Sequence, residues 1–389
     1  MSQRRLTITQ TPGMRLLINR SDVRLTRFAA DPDAPASRSL LDGEARLEIE
    51  RFALTANNVT YAVFGEAMKY WQFFPAQDAL EGCLPVWGFA TVTESRLNGL
   101  EPGRRVYGFL PAGTHLVVKP KISDRGFADL APHREALAAV YNQYVFCDAD
   151  PVLKPDLEGL QAVLQPLFTT SFLIDDFLAS NRFFGARRLL ISSASSKTAY
   201  GTAFCLTERS ASEGAARTVA LTSAANVDFV RSLGCYDEVR RYDELASLDT
   251  AEPTVYVDFA GNAVLRRAVH ERFASNLLHS SSIGGTHWDE IGSAGGLPGP
   301  RPTLFFAPTQ FMQRSLPPPE GLGRAELERR LAAAWQRFIA RVADVDEPWL
   351  QMVSQQGAAA IDEVYISLLA GRSNPRAGHM LTLLGHCPG

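Results

Sequence analysis

The residues best suited to chemistry lie near position 190. An apolar run, Leu189-Leu190-Ile191, precedes a cluster of small hydroxyl residues, Ser192-Ser193-Ala194-Ser195-Ser196-Lys197-Thr198. A helical pattern then runs to Arg209, with Ala199, Ala203 and Leu206 on one side. A strand, a small-residue turn and a helix together form the usual phosphate cradle of α/β proteins. The turn's N–H groups and the helix N-terminus, with roughly +0.5 elementary charge, face the anion. Lys197 and the hydroxyls of Ser195, Ser196 and Thr198 would add direct contacts. The motif is degenerate: a dinucleotide fingerprint asks for three glycines, and only Gly201 stands near a fingerprint position. Serine and alanine are the next smallest residues and still permit close approach. Ser196-Lys197-Thr198 imitates the end of a nucleotide-binding P-loop, but Ile191 and Ser196 occupy its glycine positions, which disfavours that motif. The spacing therefore points to dinucleotide phosphate binding, with a plain tight strand–helix turn as the rival.

Further candidates lie downstream. A second strand, Thr218 to Thr222, ends in Thr222-Ser223-Ala224-Ala225-Asn226. An acidic residue there would hold the ribose hydroxyls of NAD. Without one, nothing repels a 2′-phosphate, and Thr222, Ser223 and Asn226 can hydrogen-bond it, so the cofactor expected is NADP. No Arg or Lys is adjacent in the sequence to secure that phosphate. A later strand runs into Gly284-Gly285-Thr286-His287-Trp288. Ligands bind beyond the carboxyl ends of such strands; His287 is then a candidate proton donor and Trp288 a pocket wall. Tyr70, Trp71, Phe73 and Phe74 form an aromatic cluster that would line an apolar substrate site or pack a core. The five cysteines are scattered, without Cys-x-x-Cys spacing. They read as reduced thiols of a cytoplasmic protein, with no structural metal expected.

These residues require a scaffold. From Ala186 onward strands and helices alternate, with strands at Leu189–Ile191, Thr218–Thr222, Glu238-Val239, Thr254–Phe259 and Asn276–Ile283. Such alternation predicts a parallel sheet covered by helices on both faces. Residues 1–110 read instead as short half-buried strands, with Arg27 to Ser39 as a surface loop. Helices are expected over Arg134–Val145, around Pro166 over Asp156–Ser180, and from Arg324 to Val342. The C-terminal part reads as helix, turn and strand between Gly357 and Leu384. With 389 residues, 46% hydrophobic, 21% charged and a formal charge of −3, the chain is expected to be globular and soluble, without a pull toward nucleic acid or anionic membrane. No apolar run reaches the ~18 residues of a membrane span.

The order of these features resembles the medium-chain dehydrogenase/reductase superfamily. Asn57-Asn58-Val59-Thr60-Tyr61 looks like its Asn-x-x-Asp segment, Pro85 to Val92 like the entry to its central strand, and Pro102 to Phe109 like its Gly-Asp-Arg-Val turn. Ser-Ala-Ser-Ser-Lys-Thr and Gly-Gly-Thr-His-Trp resemble turns of a branch carrying a domain of unknown function. The resemblance implies α/β plus β architecture: a GroES-like β domain over 1–165 and a Rossmann-type doubly wound parallel-sheet domain over 166–345. Residues 346–389 would then return to the first domain. It further implies a homodimer. Gly88-Phe89-Ala90 stands where zinc alcohol dehydrogenases carry Gly-His-Glu, so the resemblance points to the zinc-free quinone- and enoyl-reductase side. There Tyr61 would protonate or hydrogen-bond an enolate, while Asn57, Tyr70, Trp71 and Trp288 would contact substrate. The expected activity is NADP(H)-dependent reduction of a carbonyl or activated C=C bond. The alternative keeps the fold without hydride transfer, binding acyl-CoA or a nucleotide for other chemistry, or serving only as a binding protein.

Overall fold

Alternating apolar residues in the first part of the chain fold as strands, and the computed structural model describes residues 13–150, 152–209, 216–283 and 296–384. In order come β1 (Met14–Asn19), β2 (Thr26–Ala30), β3 (Ala45–Leu54), helix α1 (Ala56–Val63), β4 (Glu81–Cys83), β5 (Pro85–Ser95) and β6 (Arg105–Pro111). Shorter strands follow: β7 (His115–Val118), β8 (Pro120–Ser123), β9 (Gly126–Asp129) and β10 (Gln143–Phe146). Strands β2, β1 and β4 form a small antiparallel sheet; β3, β5, β6, β10, β9 and β8 form most of a larger one, with β7 paired to β3.

Helix α2 (Glu158–Ser180) leads into the second unit. That unit holds β11 (Arg188–Ile191), α3 (Lys197–Glu208), β12 (Arg217–Thr222), α4 (Val227–Ser232), β13 (Glu238–Arg241) and β14 (Thr254–Asp258). It continues with α5 (Ala263–Phe273), β15 (Leu277–Ser282), β16 (Thr303–Leu304), α6 (Ala307–Arg314) and α7 (Arg324–Val342). Its sheet is parallel throughout, in the order β13-β12-β11-β14-β15-β16. Counted within the sheet this is 3-2-1-4-5-6, so the strand order reverses between β11 and β14. Every residue of β11 and β14 is buried, as a parallel sheet covered on both faces requires.

The chain then returns. Strand β17 (Gln351–Gln356), helix α8 (Ala358–Leu369) and strand β18 (Ala377–Thr382) rejoin the larger first sheet. There β18 lies antiparallel to β3, with His379 opposite Leu54.

Several local expectations change. Residues 27–30, expected in a loop, form most of β2 against β1. The helix expected over Arg134–Val145 is two short 3₁₀ turns and strand β10. Tyr144 decides that outcome: its ring fills the space over Gly108 of β6, and its hydroxyl donates to the Phe109 carbonyl at 2.7 Å. Strand β17, not foreseen, pairs only with β18 among the described residues. Helix Pro155–Ser180 is long and apolar enough to cross a membrane, but 67% of its most apolar 18-residue window is buried in the protein. Its Asp175 and Asp176 pair with Arg209 and Arg314, as befits a helix packed inside a protein.

Candidate functional site

The crevice at the strand reversal is built first from β11 and β14. Beyond β11, the Ser192 hydroxyl donates to Asp258 Oδ1 at 2.9 Å and accepts the N–H groups of Phe259 and Ala260 at 3.0 and 3.1 Å. Asp258, at the end of β14, also accepts the Tyr256 hydroxyl at 3.1 Å, the Gly261 N–H at 3.0 Å and Arg266 Nε at 2.9 Å. A fully used buried carboxylate thus stitches together the two strand ends that flank the crevice. Such a group is well satisfied only while every partner remains.

The turn above it does what glycines do elsewhere. Ser193 adopts φ +49°, a left-handed conformation, and its N–H donates to the Tyr242 hydroxyl at 3.2 Å. Ser196 caps α3, its Oγ accepting the Ala199 N–H at 3.4 Å. The N–H groups of Ser195, Lys197 and Thr198 have no hydrogen-bond partner among the described residues. Three donors at a helix N-terminus therefore stay open at the strand reversal. Gly201 serves packing rather than the turn: a Cβ there would lie 2.6 Å from Ser171 Oγ on α2.

Beside the turn, Asn226 Nδ2 donates to Ser195 Oγ at 3.0 Å, bringing two expected site residues together. Thr222 Oγ1 is buried without a partner among the described residues, while Ser223 lies between, partly exposed. The sheet supplies what the sequence of this loop lacks. In the β12–β13 register, Arg241 lies opposite Thr222, and the next residue is the Tyr242 that meets Ser193. Arg241 is half-exposed and pairs with Asp243 at 3.2 Å and Glu244 at 3.6 Å. Sequence proximity misses Arg241 because the strand pairing, not the chain, brings it there.

Lys197 is turned differently from the expectation. Its Nζ donates to the Pro375 carbonyl, 3.3 Å away on the returning segment, instead of standing over the cradle. Enclosure by protein without a carboxylate partner pushes its pKa down to about 8. His379, close by, is held below its ordinary value by burial and by the Lys197 charge.

Asn57, on α1, and Trp87, on β5, line a recess facing Ala162, Val163, Pro166 and Leu167 of α2. Its free volume is about 10 Å³, near the minimum for a single water. Tyr61 stands behind this wall rather than in it. It is buried against Tyr70, Phe109 and Tyr141, and its hydroxyl accepts Trp87 Nε1 at 3.3 Å. Burial raises its pKa, with Trp87, Asn57 and Tyr141 as hydrogen-bond neighbours. Tyr70 and Trp71, expected to contact substrate, are core residues of the β unit. Trp71 occupies the space a Cβ at Gly65 or Gly82 would need, and Tyr70 meets Tyr141 hydroxyl to hydroxyl at 3.4 Å. His287 and Trp288 lie outside the described residues. Among the described residues no three His, Cys, Asp or Glu side chains converge as a metal site.

Residues 52–374 match the family described as a protein of unknown function (DUF2855). No curated protein matches the chain. Among solved structures, CurA from Vibrio vulnificus, in complex with NADPH, is 11% identical with a TM-score of 0.58, over 96% of this chain and 100% of that one. A mycobacterial protein complexed with NADPH is 12% identical with a TM-score of 0.52, over 95% and 99%. The quinone oxidoreductase from Coxiella burnetii is 10% identical with a TM-score of 0.50, over 96% and 100%. The common feature is the fold: a GroES-like β unit joined to a Rossmann-type sheet.

Proposed function

We propose that this chain, which belongs to the family of unknown function DUF2855, is an NADP(H)-dependent, zinc-independent oxidoreductase reducing a carbonyl or activated C=C bond of a small molecule. One observation carries the reading: three open N–H donors, from Ser195, Lys197 and Thr198, at the reversal of a 3-2-1-4-5-6 sheet. The NADPH complexes of CurA and of the mycobacterial protein, on the same fold, support it. The partnerless Thr222 hydroxyl is a hydrogen-bond site for the adenosine ribose. With no carboxylate between Thr222 and Asn226, and Arg241 in register with Thr222, the 2′-phosphorylated form is preferred.

The nicotinamide supplies the hydride, and the residues of the chain bind, orient and shield. Ser195, Lys197 and Thr198 receive phosphate oxygens through their N–H groups. Asn57 and Trp87 face the recess, where the Asn57 amide can orient a polar oxygen on an otherwise apolar ligand and the Trp87 ring, its one N–H given to Tyr61, supplies an apolar wall. Tyr61 acts through them as a positioning residue, since its hydroxyl is already engaged by Trp87.

The narrow recess favours a second reading, a binding protein whose cleft is shut by Pro166, Leu167 and Trp87. Calorimetric titration with NADPH, NADH and coenzyme A separates the two. NADPH binding in preference to NADH supports the reductase, to be followed by turnover of enones, quinones and aldehydes. Binding of coenzyme A alone, or of none of the three, removes hydride transfer from consideration.

A further inference from the structure

The turn from Gly371 to Arg376, between α8 and β18, rests on the Rossmann-type unit through two cations whose partners are all neutral. Lys197 Nζ reaches out from the first turn of α3 to the Pro375 carbonyl at 3.3 Å. Arg376 reaches in the other direction. Its Nη2 donates to Ser232 Oγ on α4 at 2.9 Å, and its guanidinium lies 4.8 Å from the Phe229 ring centroid. Its Nη1 donates to the Pro348 carbonyl at 3.3 Å. Neither cation has a carboxylate partner among the described residues. This contrasts with the rest of the surface, where arginines pair with acids repeatedly, as Arg105 does with Glu50 and Glu158.

Two further observations bear on the turn. Its backbone bonds are mostly local: Gly371 N–H bonds the Leu368 carbonyl at 3.1 Å, Arg372 N–H the Ser367 carbonyl at 3.0 Å, Arg376 N–H the Asn374 Oδ1 at 2.9 Å and Ala377 N–H the Asn374 carbonyl at 3.0 Å, and Gly371 is left-handed at φ +65°. The recess between the units holds about 10 Å³, so a nicotinamide ring can enter only if the units separate. The Lys197 and Arg376 contacts are ties across that separation.

We propose that Gly371–Arg376 is a strap that couples occupancy of the crevice to separation of the two units, released when phosphate oxygens take Lys197 from the Pro375 carbonyl. The proposal rests on the cofactor reading above and adds its regulation. Lys197 carries two groups to one ligand: its N–H belongs to the cradle and its amine to the strap. A phosphate at the cradle offers the amine a charged partner in place of a neutral one, and charge-assisted bonds are the stronger. The strap then loses one of its two ties and swings about Gly371.

Hydrogen exchange by mass spectrometry on the full chain tests this, read at peptides covering 371–377 and at Gln351, whose N–H bonds the Arg376 carbonyl at 2.7 Å. Without ligand, Lys197→Met is expected to exchange roughly three- to tenfold faster than wild type across the strap, the worth of one hydrogen bond, with α3 unchanged. Arg376→Gln, removing the other tie, is expected to do likewise. Unchanged exchange in both variants overturns the strap whatever the protein binds. Wild type saturated with NADPH, with saturation verified by calorimetry, is expected to show the same acceleration. NADPH binding with the strap unchanged or slowed overturns the coupling and leaves the cofactor reading standing. No NADPH uptake refutes the cofactor reading and the coupling with it, while the variants still decide whether the ties exist.

Discussion

Lys197 offers a quantitative test of the crevice, because its amine titrates in an accessible range. Enclosure without a counter-charge lowers its pKa to about 8. Diphosphate beside it would restore the charged form, raising the value toward that of an ordinary lysine. Binding then requires protonated Lys197, and the sign follows: affinity is greatest below pH 8 and declines as pH rises, because a proton must be taken up with the ligand. With a free-protein pKa of about 8 and a value in the complex of ~10 or more, the NADPH association constant should fall about tenfold between pH 7 and pH 9, or ~1.4 kcal/mol. His379, the nearby titratable group held below its ordinary value, is neutral over this interval and adds no slope. The assay is calorimetry at pH 7, 8 and 9, repeated in two buffers of different ionisation enthalpy to count protons. Lys197→Arg should bind with little pH dependence, since a guanidinium does not titrate here. Lys197→Met should bind weakly and equally at each pH. A flat wild-type profile, or the same slope in Lys197→Met, would refute the placement of this amine beside the phosphates.

Three more outcomes follow from single contacts. Asp258→Asn leaves the buried Arg266 guanidinium without its charge partner; the loss should be about 3–5 kcal/mol, read by urea denaturation. Gly201→Ala puts a Cβ 2.6 Å from Ser171 Oγ. It should cost about 1–3 kcal/mol, much of which Ser171→Ala restores in the double variant, as a drop and recovery of Tm. Arg241→Ala should weaken NADPH by about 1.5–3 kcal/mol while leaving NADH unchanged; equal weakening of both would remove Arg241 from the 2′-phosphate.

What the sequence made legible was whatever depends on local pattern. The alternation after Ala186 yields the parallel strands β11 to β15, and the run Arg324–Val342 yields α7 with the bounds expected. The cradle, too, is visible from Leu189 to Thr198, because strand, turn and helix are contiguous. What depends on distant pairing was hidden. Arg241 comes to Thr222 through the β12–β13 register, and Trp87 reaches Asn57 only after β5 folds beside α1. The aromatic cluster at 70–74 left two readings open because composition does not distinguish a pocket wall from a core. Two glycines facing the Trp71 ring, Gly65 and Gly82, were the available sign that the ring is packed from both sides. Lys197 misled in another way: its backbone belongs to the cradle, while its long side chain is free to serve a different surface.

Ser193 shows how a cradle can lack glycine and still form. Its φ of +49° lies where a side chain is penalised, by roughly 1–2 kcal/mol. Two accounts of its retention make opposite predictions for Ser193→Gly. If the side chain contributes nothing, glycine relieves the strain. Against that stands the added freedom of the unfolded chain, about 0.4–1 kcal/mol, so the variant is neutral or more stable by up to ~1 kcal/mol. If the Ser193 hydroxyl helps hold Tyr242, which already accepts the Ser193 N–H and whose pKa burial raises to about 12 while the Ser193 backbone and side chain oppose that rise, glycine loses that bond. Stability should then fall, and the end of β13 should loosen from the turn. The structure favours the second account. Tyr242 connects the cradle to the strand that carries Arg241, so the serine joins the phosphate end of the crevice to its adenosine end. Ser193→Gly should therefore destabilise by about 0.5–1.5 kcal/mol and accelerate hydrogen exchange at residues 240–243. A stabilised variant with unchanged exchange there would show that the serine is only a tolerated substitute for glycine.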